Sequence, residues 1–300
     1  PQAVVYAYTL SNGIPNLIAK AYPPSNEYEG IGPTLIGDTD GNGNASLVFT
    51  RFKRLLSYFY DGSIILKLNW SLNTSDSSGA TGLTLFDFNH DGSQEIVYRD
   101  ETDLIIINSR NGIPLPFAKF NCQSITGLEN PIVGDFDNSG HSKICTICGI
   151  TSDNIIGKLT IFGPPDSSAP WAPARGIWNQ YNYHVLNIND DLTVPRVQKN
   201  NATYKNGRYN NFYVQESLLD SNGIYRRPAA SLYGNLDCIN YDPISDLYTA
   251  YFNLYNKPDA SQAADTGIPV AFYNGNPESG GNILGIYYTT KKLVRGDSLI

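Results

Sequence analysis

The sequence predicts an all-β protein in two parts, and three observations carry that prediction. Short runs rich in Val, Ile, Tyr and Phe recur between Gly-, Asn- and Asp-rich turns. One nine-residue stretch, dense in side-chain oxygens, occurs three times at near-constant spacing. From about Asn222 the strand spacing changes to one that suits a sandwich.

The repeated stretch is clearest as Asp87-Phe-Asn-His-Asp-Gly-Ser-Gln-Glu95, followed by the apolar Ile96, Val97 and Tyr98. Asp38-Thr-Asp-Gly-Asn-Gly-Asn-Ala-Ser46 and Asp135-Phe-Asp-Asn-Ser-Gly-His-Ser-Lys143 are its counterparts, and the three starts lie 49 and 48 residues apart. A period of that length marks a repeat architecture, and four short strands per unit point to propeller blades. An oxygen at every second residue of a tight loop suits a hard cation, and Ca²⁺ takes roughly 6–8 oxygens. The candidate ligands are Asp38, Asp40, Asn42, Asn44 and Ser46 in the first loop and Asp87, Asn89, Asp91, Ser93 and Glu95 in the second. In the third they are Asp135, Asp137, Ser139 and His141. A backbone carbonyl usually fills the seventh position, which is Ser93 in the second loop. No helical pattern flanks the loops, which argues against a helix–loop–helix calcium hand.

At these residues the chain resembles the FG-GAP/VCBS repeats of integrin-α-like calcium propellers. The matching pieces are Leu35-Ile-Gly-Asp-Thr-Asp-Gly-Asn-Gly, Leu85-Phe-Asp-Phe-Asn-His-Asp-Gly and Val133-Gly-Asp-Phe-Asp-Asn-Ser-Gly. The family pattern carries a carboxylate at the ninth position. Glu95 meets it, Ser46 meets it weakly and Lys143 breaks it, so site quality is expected to fall from the second loop to the first to the third. An ammonium from Lys143 in place of the metal would leave the third loop metal-free.

In chain order, Ala3–Leu10 and Asn16–Tyr22 are expected as a hairpin turned at Ser11-Asn-Gly. A first blade follows as Thr34–Gly37, Ser46–Phe52, Leu55–Tyr60 and Ser63–Trp70, with Asp61-Gly62 turning its last hairpin. A second runs from Leu83 through Ile96–Tyr98 and Leu104–Ile107 to Leu115–Phe120, turned at Asn111-Gly112. A third takes Ile132, Ile144–Cys148 and Lys158–Phe162. The opening hairpin is expected to share a blade with residues of roughly 183–215, where Asn187 to Pro195 reads as a degenerate fourth repeat. The propeller part is thus 1–221, with an aromatic connector (Trp171, Trp178, Tyr181, Tyr183) near 164–186. The connector is read as packing at a seam, with sugar stacking as the alternative. Pro173-Ala-Arg, Trp178-Asn-Gln and Asn189-Asp-Asp resemble a segment that follows such repeats in large secreted proteins of Bacteroidota-type bacteria.

Residues 222–300 form the second part, with strands at Ser231–Cys238, Leu247–Tyr255, Ile268–Tyr273, Asn282–Tyr288 and Lys292–Val294. The run from Gly267 to Gly285 resembles CARDB-type immunoglobulin-like modules of bacterial surface proteins. The module looks short by a strand or two, which invites completion from beyond Ile300 or from a neighbouring molecule.

Composition narrows the function. A net charge of −7 argues against nucleic acid, which needs a basic face. No apolar run reaches membrane-span length. The chain opens on Pro with no signal-like stretch and so reads as a mature or excised segment. Few Lys and Arg, no Met and calcium-type loops suggest the outside of a cell. Four Asn-x-Ser/Thr sequons begin at Asn44, Asn69, Asn73 and Asn201.

Cys145 and Cys148 lie three apart on one strand and cannot pair without distortion. Cys122 enters the blade at the end where Cys148 leaves it, so a Cys122–Cys148 disulfide is expected, with Cys145 as a buried thiol and Cys238 free. Neither the three His residues nor any nucleophile or phosphate-loop motif points to catalysis. Arg295-Gly-Asp297 spells an adhesive tripeptide, but CARDB-type modules carry a similar Gly-acid-Ser triplet before a strand. The expectation is a non-enzymatic extracellular adhesion or filament module whose partner is a cell-surface protein or glycan, with self-assembly by strand complementation as a variant. The alternative is a carbohydrate-active protein, since some polysaccharide lyases use calcium-loaded propellers with related repeats.

Overall fold

The computed structural model describes residues 3–24, 31–127, 129–153, 156–190, 192–220, 222–225, 229–257, 260 and 262–299. The chain is all-β and divides into two compact units. Pro1–Phe136 with His141–Gly223 form the first, and Asp137–Gly140 with Ile224–Ile300 the second.

The first unit opens with a hairpin of β1 (Val5–Ser11) and β2 (Ile14–Ala21). Asn12 and Gly13, both at positive φ, make its two-residue turn, as the Asn-Gly pair predicts. The next sheet holds β3 (Leu35–Gly37), β4 (Ser46–Arg51), β5 (Arg54–Phe59) and β6 (Lys67–Asn73) in antiparallel order. A matching sheet follows from β7 (Leu83–Phe86), β8 (Glu95–Arg99), β9 (Asp103–Asn108) and β10 (Ile113–Asn121). The third keeps three strands, β11 (Ile132–Gly134), β12 (Lys143–Cys148) and β13 (Lys158–Phe162). Among the described residues no sheet closes on itself.

In both complete sheets the second strand is buried almost throughout, as expected of a strand covered on both faces. The leading strands of successive sheets are neighbours, β3 beside β7 and β7 beside β11. One core cluster therefore joins Leu35, Val48 and Leu55 to Leu83, Leu85, Ile96 and Tyr98, and a second joins Phe86, Val97 and Leu104 to Val133 and Ile144. The Asn111-Gly112 turn depends on glycine twice. Its φ is +72°, and a Cβ there would stand 2.5 Å from the Trp70 ring.

Two expectations for the first unit need correction. The strand expected over Ser63–Trp70 lies at Lys67–Asn73, and Asp61-Gly62 is not a tight hairpin turn. Residues 64–66 are drawn aside by β2: Lys20 N donates to Ile64 O at 2.8 Å and Leu66 N to Lys20 O at 2.7 Å. The shared blade does not form either. Residues 183–215 hold no strand among the described residues, only 3-10 turns at Val185–Asn187 and Tyr204–Gly207. This segment docks on β7 instead, with Leu85 N donating to Tyr213 O and Gln215 N to Leu85 O. Asp191, within the supposed degenerate repeat, lies outside the described residues.

In the second unit β15 (Leu247–Asn256) lies between β14 (Leu232–Asp242) and β18 (Ser298–Leu299), and β16 (Pro269–Asn274) pairs with β17 (Asn282–Tyr288). The two sheets meet where Phe252 contacts Phe272 and Tyr287 edge-on. Lys292–Val294 is not a strand; only Leu293 bridges, to Ala264. The Arg295-Gly-Asp297 backbone is tied to Asn256: Asn256 N donates to Asp297 O at 2.9 Å and Gly296 N donates to Asn256 O at 2.8 Å.

The disulfide joins Cys122 to Cys148, 26 residues apart, with Cα atoms 4.8 Å apart. Cys145 is buried and Cys238 exposed, both as free thiols. Replacing both bridged cysteines by Ser is expected to cost about 3 kcal/mol, the scale for a closed loop of this size. Urea unfolding of the double variant against the oxidised parent measures it.

Candidate metal centre

All three oxygen-rich loops sit between the first and second strands of their sheets and share one backbone signature. The fourth loop residue is left-handed in each: Gly41 at φ +75°, His90 at +58° and Asn138 at +53°. So is the sixth: Gly43 at +84°, Gly92 at +85° and Gly140 at +81°. Two left-handed residues separated by one curl the chain so that alternate side chains face the loop interior. Asn tolerates this geometry and His less so, which is why a non-Gly residue here is informative.

In the second loop Asp87 accepts from Asp91 N and Gly92 N, both at 3.1 Å. Asn89 Oδ1 accepts from Asp91 N at 3.0 Å, and Asp91 Oδ1 from Ser93 N at 2.9 Å. Glu95, nearly fully buried, folds back so that Oε2 accepts from Phe88 N at 2.9 Å. Burial pushes the Glu95 carboxyl up to about 8, and the nearby Asp87 and Asp91 charges add to the rise. Burial raises Asp87 as well. Burial and mutual repulsion both disfavour the charged form of these carboxylates.

The first loop repeats the scheme. Asp38 Oδ2 accepts from Gly43 N at 2.9 Å, Asp40 Oδ1 from Asn42 N at 3.2 Å and Asn42 Oδ1 from Asn44 N at 2.7 Å. Asp38 Oδ1 is buried with no hydrogen-bond partner. Ser46, the ninth residue, is buried at the start of β4 opposite Gly37. In the third loop Ser139 N donates to Asp137 Oδ1 at 3.2 Å. Its position-seven residue, His141, turns Nδ1 to Trp171 O at 3.3 Å, and the Lys143 stem runs beside Gly163. Asp135 is half-buried at the head of this loop.

Among the described residues no three His, Cys, Asp or Glu side chains converge as a metal-holding group. The loops offer amide and carbonyl oxygens beside two or three carboxylates each, a donor set for a hard cation rather than a transition metal.

Sequence reasoning missed what fastens the first loop to the second. The Thr39 carbonyl accepts from Ser93 Oγ at 2.7 Å and from Ser109 Oγ, all buried. Arg110, in the turn after β9, donates Nε to Asp40 O at 3.2 Å and pairs Nη1 with Asp91 Oδ2 at 3.3 Å. Ser109-Arg110 lies in no motif, so only the packing of one sheet on the next reveals it. The aromatic connector packs as a seam: Trp171 meets Phe88 and Phe120 edge-on, and the buried Tyr183 stacks on Trp178. Tyr183 donates its hydroxyl to Gln215 Oε1 at 3.0 Å.

No protein-family model matches the chain, and no curated protein matches it. Among solved structures it is similar to the V. cholerae biofilm matrix protein Bap1, at 21% identity and a TM-score of 0.49, over 57% of this chain and 27% of that one. The chain thus spans about a quarter of that protein's structure.

Glu95 sets a pH dependence for the cation-free chain. Its folded-state value lies above the ordinary carboxylate value, so its contribution to stability is complete below about 4.5 and lost as pH rises through about 8. In chelator, denaturant midpoints are expected to fall across that window. Glu95→Gln is expected to flatten the decline.

Proposed function

We propose that the first unit is a calcium-fastened set of propeller blades within an extracellular adhesive or structural module. The observation that supports it best is the left-handed pair at loop positions four and six, present in all three repeats although only the sixth is always glycine. A bend of that kind turns Asp and Asn oxygens inward at Asp38, Asp40 and Asn42 and at Asp87, Asn89 and Asp91. The unpartnered Asp38 Oδ1 and the raised Glu95 and Asp87 fit loops whose acids a bound cation would balance. The ion's work is structural: it ties the first strand of a sheet to the second and neutralises the crowded acids.

The reading extends to the resemblances. The repeats are similar to FG-GAP/VCBS blades and the second unit to CARDB-type immunoglobulin-like modules, an arrangement that suits reach and contact. Two sheets meeting through Phe252, Phe272 and Tyr287 are compatible with a sandwich. No helix among the described residues is long and apolar enough to cross a membrane.

Millimolar Ca²⁺ is expected to raise the melting temperature by several degrees, as ligand binding to the folded state alone requires, and excess chelator to reverse it. Asp87→Ala is expected to remove more of that increment than Asp38→Ala, and Asp135→Ala least. A melting temperature indifferent to chelator would end the reading.

A further inference from the structure

The third sheet leaves one face largely bare, and the connector arches over part of it. Along that face Ile132 lies opposite Cys145, and Ile147 opposite Leu159. Ile147 is 41% exposed and Leu159 74%. Between this floor and the connector residues Trp178 to Tyr181 is a cleft of about 390 Å³, within the range of small-ligand sites.

The polar groups of the cleft are mostly amides. Asn179 and Gln180 are exposed amides on its rim, and Gln180 spends its Nε2 on Asn182 O at 3.1 Å, which leaves its carbonyl oxygen to accept. Asn130 lies against Gly82 so closely that a Cβ on Gly82 would fall 1.1 Å from Asn130 Oδ1. Neither end of that amide has a hydrogen-bond partner, and neither has Glu129 Oε2, although Glu129 Oε1 accepts from Ser124 Oγ at 3.1 Å. These atoms are shut off from solvent, so the polar groups within a ligand's reach are the exposed rim amides of Asn179 and Gln180. Two aromatic rings, Trp178 and Tyr181, stand beside them.

We propose that this cleft binds a neutral saccharide. A sugar offers an apolar C–H face for the rings and hydroxyls that both donate to and accept from amides. Among the described residues no Lys or Arg lines the cleft, and its carboxylate is Glu129. Arg99 sits behind it fully buried, its guanidinium engaged by Thr146 Oγ1 at 3.0 Å, Ile147 O and Gln123 O at 2.7 Å. An acidic sugar would therefore meet a like charge with no free cation, which separates this site from the groove of an acidic-polysaccharide lyase.

The proposal gives the adhesion reading a ligand class and rests on it for context, yet the two fail separately. The intact chain in calcium is titrated with maltotetraose, cellotetraose, mannotetraose and tetragalacturonate, followed by tryptophan fluorescence and saturation-transfer NMR. At least one neutral saccharide is expected to bind with millimolar affinity. Trp178→Ala and Gln180→Ala are each expected to weaken it about tenfold, the scale of one lost stacking or hydrogen-bonding contact. Trp178 also packs on Tyr183, so the exposed Gln180 variant carries the test if the first misfolds. Binding of tetragalacturonate alone, binding indifferent to both variants, or no neutral binding at millimolar concentration overturns the proposal. So does a dimer that Leu159→Asp dissociates, which would make the bare face a protein interface. None of these outcomes alters the chelator test, whose failure would in turn leave saccharide binding standing.

Discussion

Everything in the first unit hangs on the Thr39 carbonyl and the two hydroxyls, of Ser93 and Ser109, that saturate it. A buried carbonyl has two lone pairs, and leaving either unmet costs as much as a typical hydrogen bond contributes. Meeting both from the next sheet fixes the spacing between the first loop and the second. That spacing sets the approach of Gly41 to the Gly92 carbonyl, 2.9 Å from where a Cβ would stand, so the first loop's left-handed residue is glycine for packing as well as for φ.

From this fastening the cores follow. With consecutive loops in contact, the leading strands β3, β7 and β11 line up and their neighbours' apolar faces close over Leu35, Leu85 and Val133. Between the second and third sheets Arg99 does the equivalent work, its guanidinium spanning to carbonyls at Gln123 and Ile147. Desolvation lowers its proton affinity, opposed by the Glu129 charge, and the hydrogen bonds compensate for its burial. The disulfide ties the same pair of sheets at Cys122 and Cys148.

The second unit is held differently. Its core is small, Leu254, Ala264 and Leu293, and most of β14 lies exposed along its whole length. Polar order supplements it: the fully buried Asn256 donates to the carbonyls of Gln262 and Leu293 and accepts from Ser231 N. Through Asn256 the Arg295-Gly-Asp297 turn is anchored to β15, so the tripeptide serves that strand junction.

The sequence by itself determined most of the strands and turns and the three repeated loops, because their signals are local. Alternating apolar residues, Asn-Gly turns and a recurrent Asp-x-Asp/Asn pattern act over a few residues and need no partner to be read. His90 and Asn138 show the limit even there, since their left-handed backbone is visible only by analogy with Gly41. Tertiary structure alone decided the rest. It drew 64–66 onto β2 and displaced β6, docked residues 213–215 on β7 instead of into a shared sheet, and brought Ser109, Arg110 and Asn130 to places that no motif marks. Those choices turn on which distant backbone groups can satisfy one another once buried, and that depends on separations of tens of residues that no local pattern encodes.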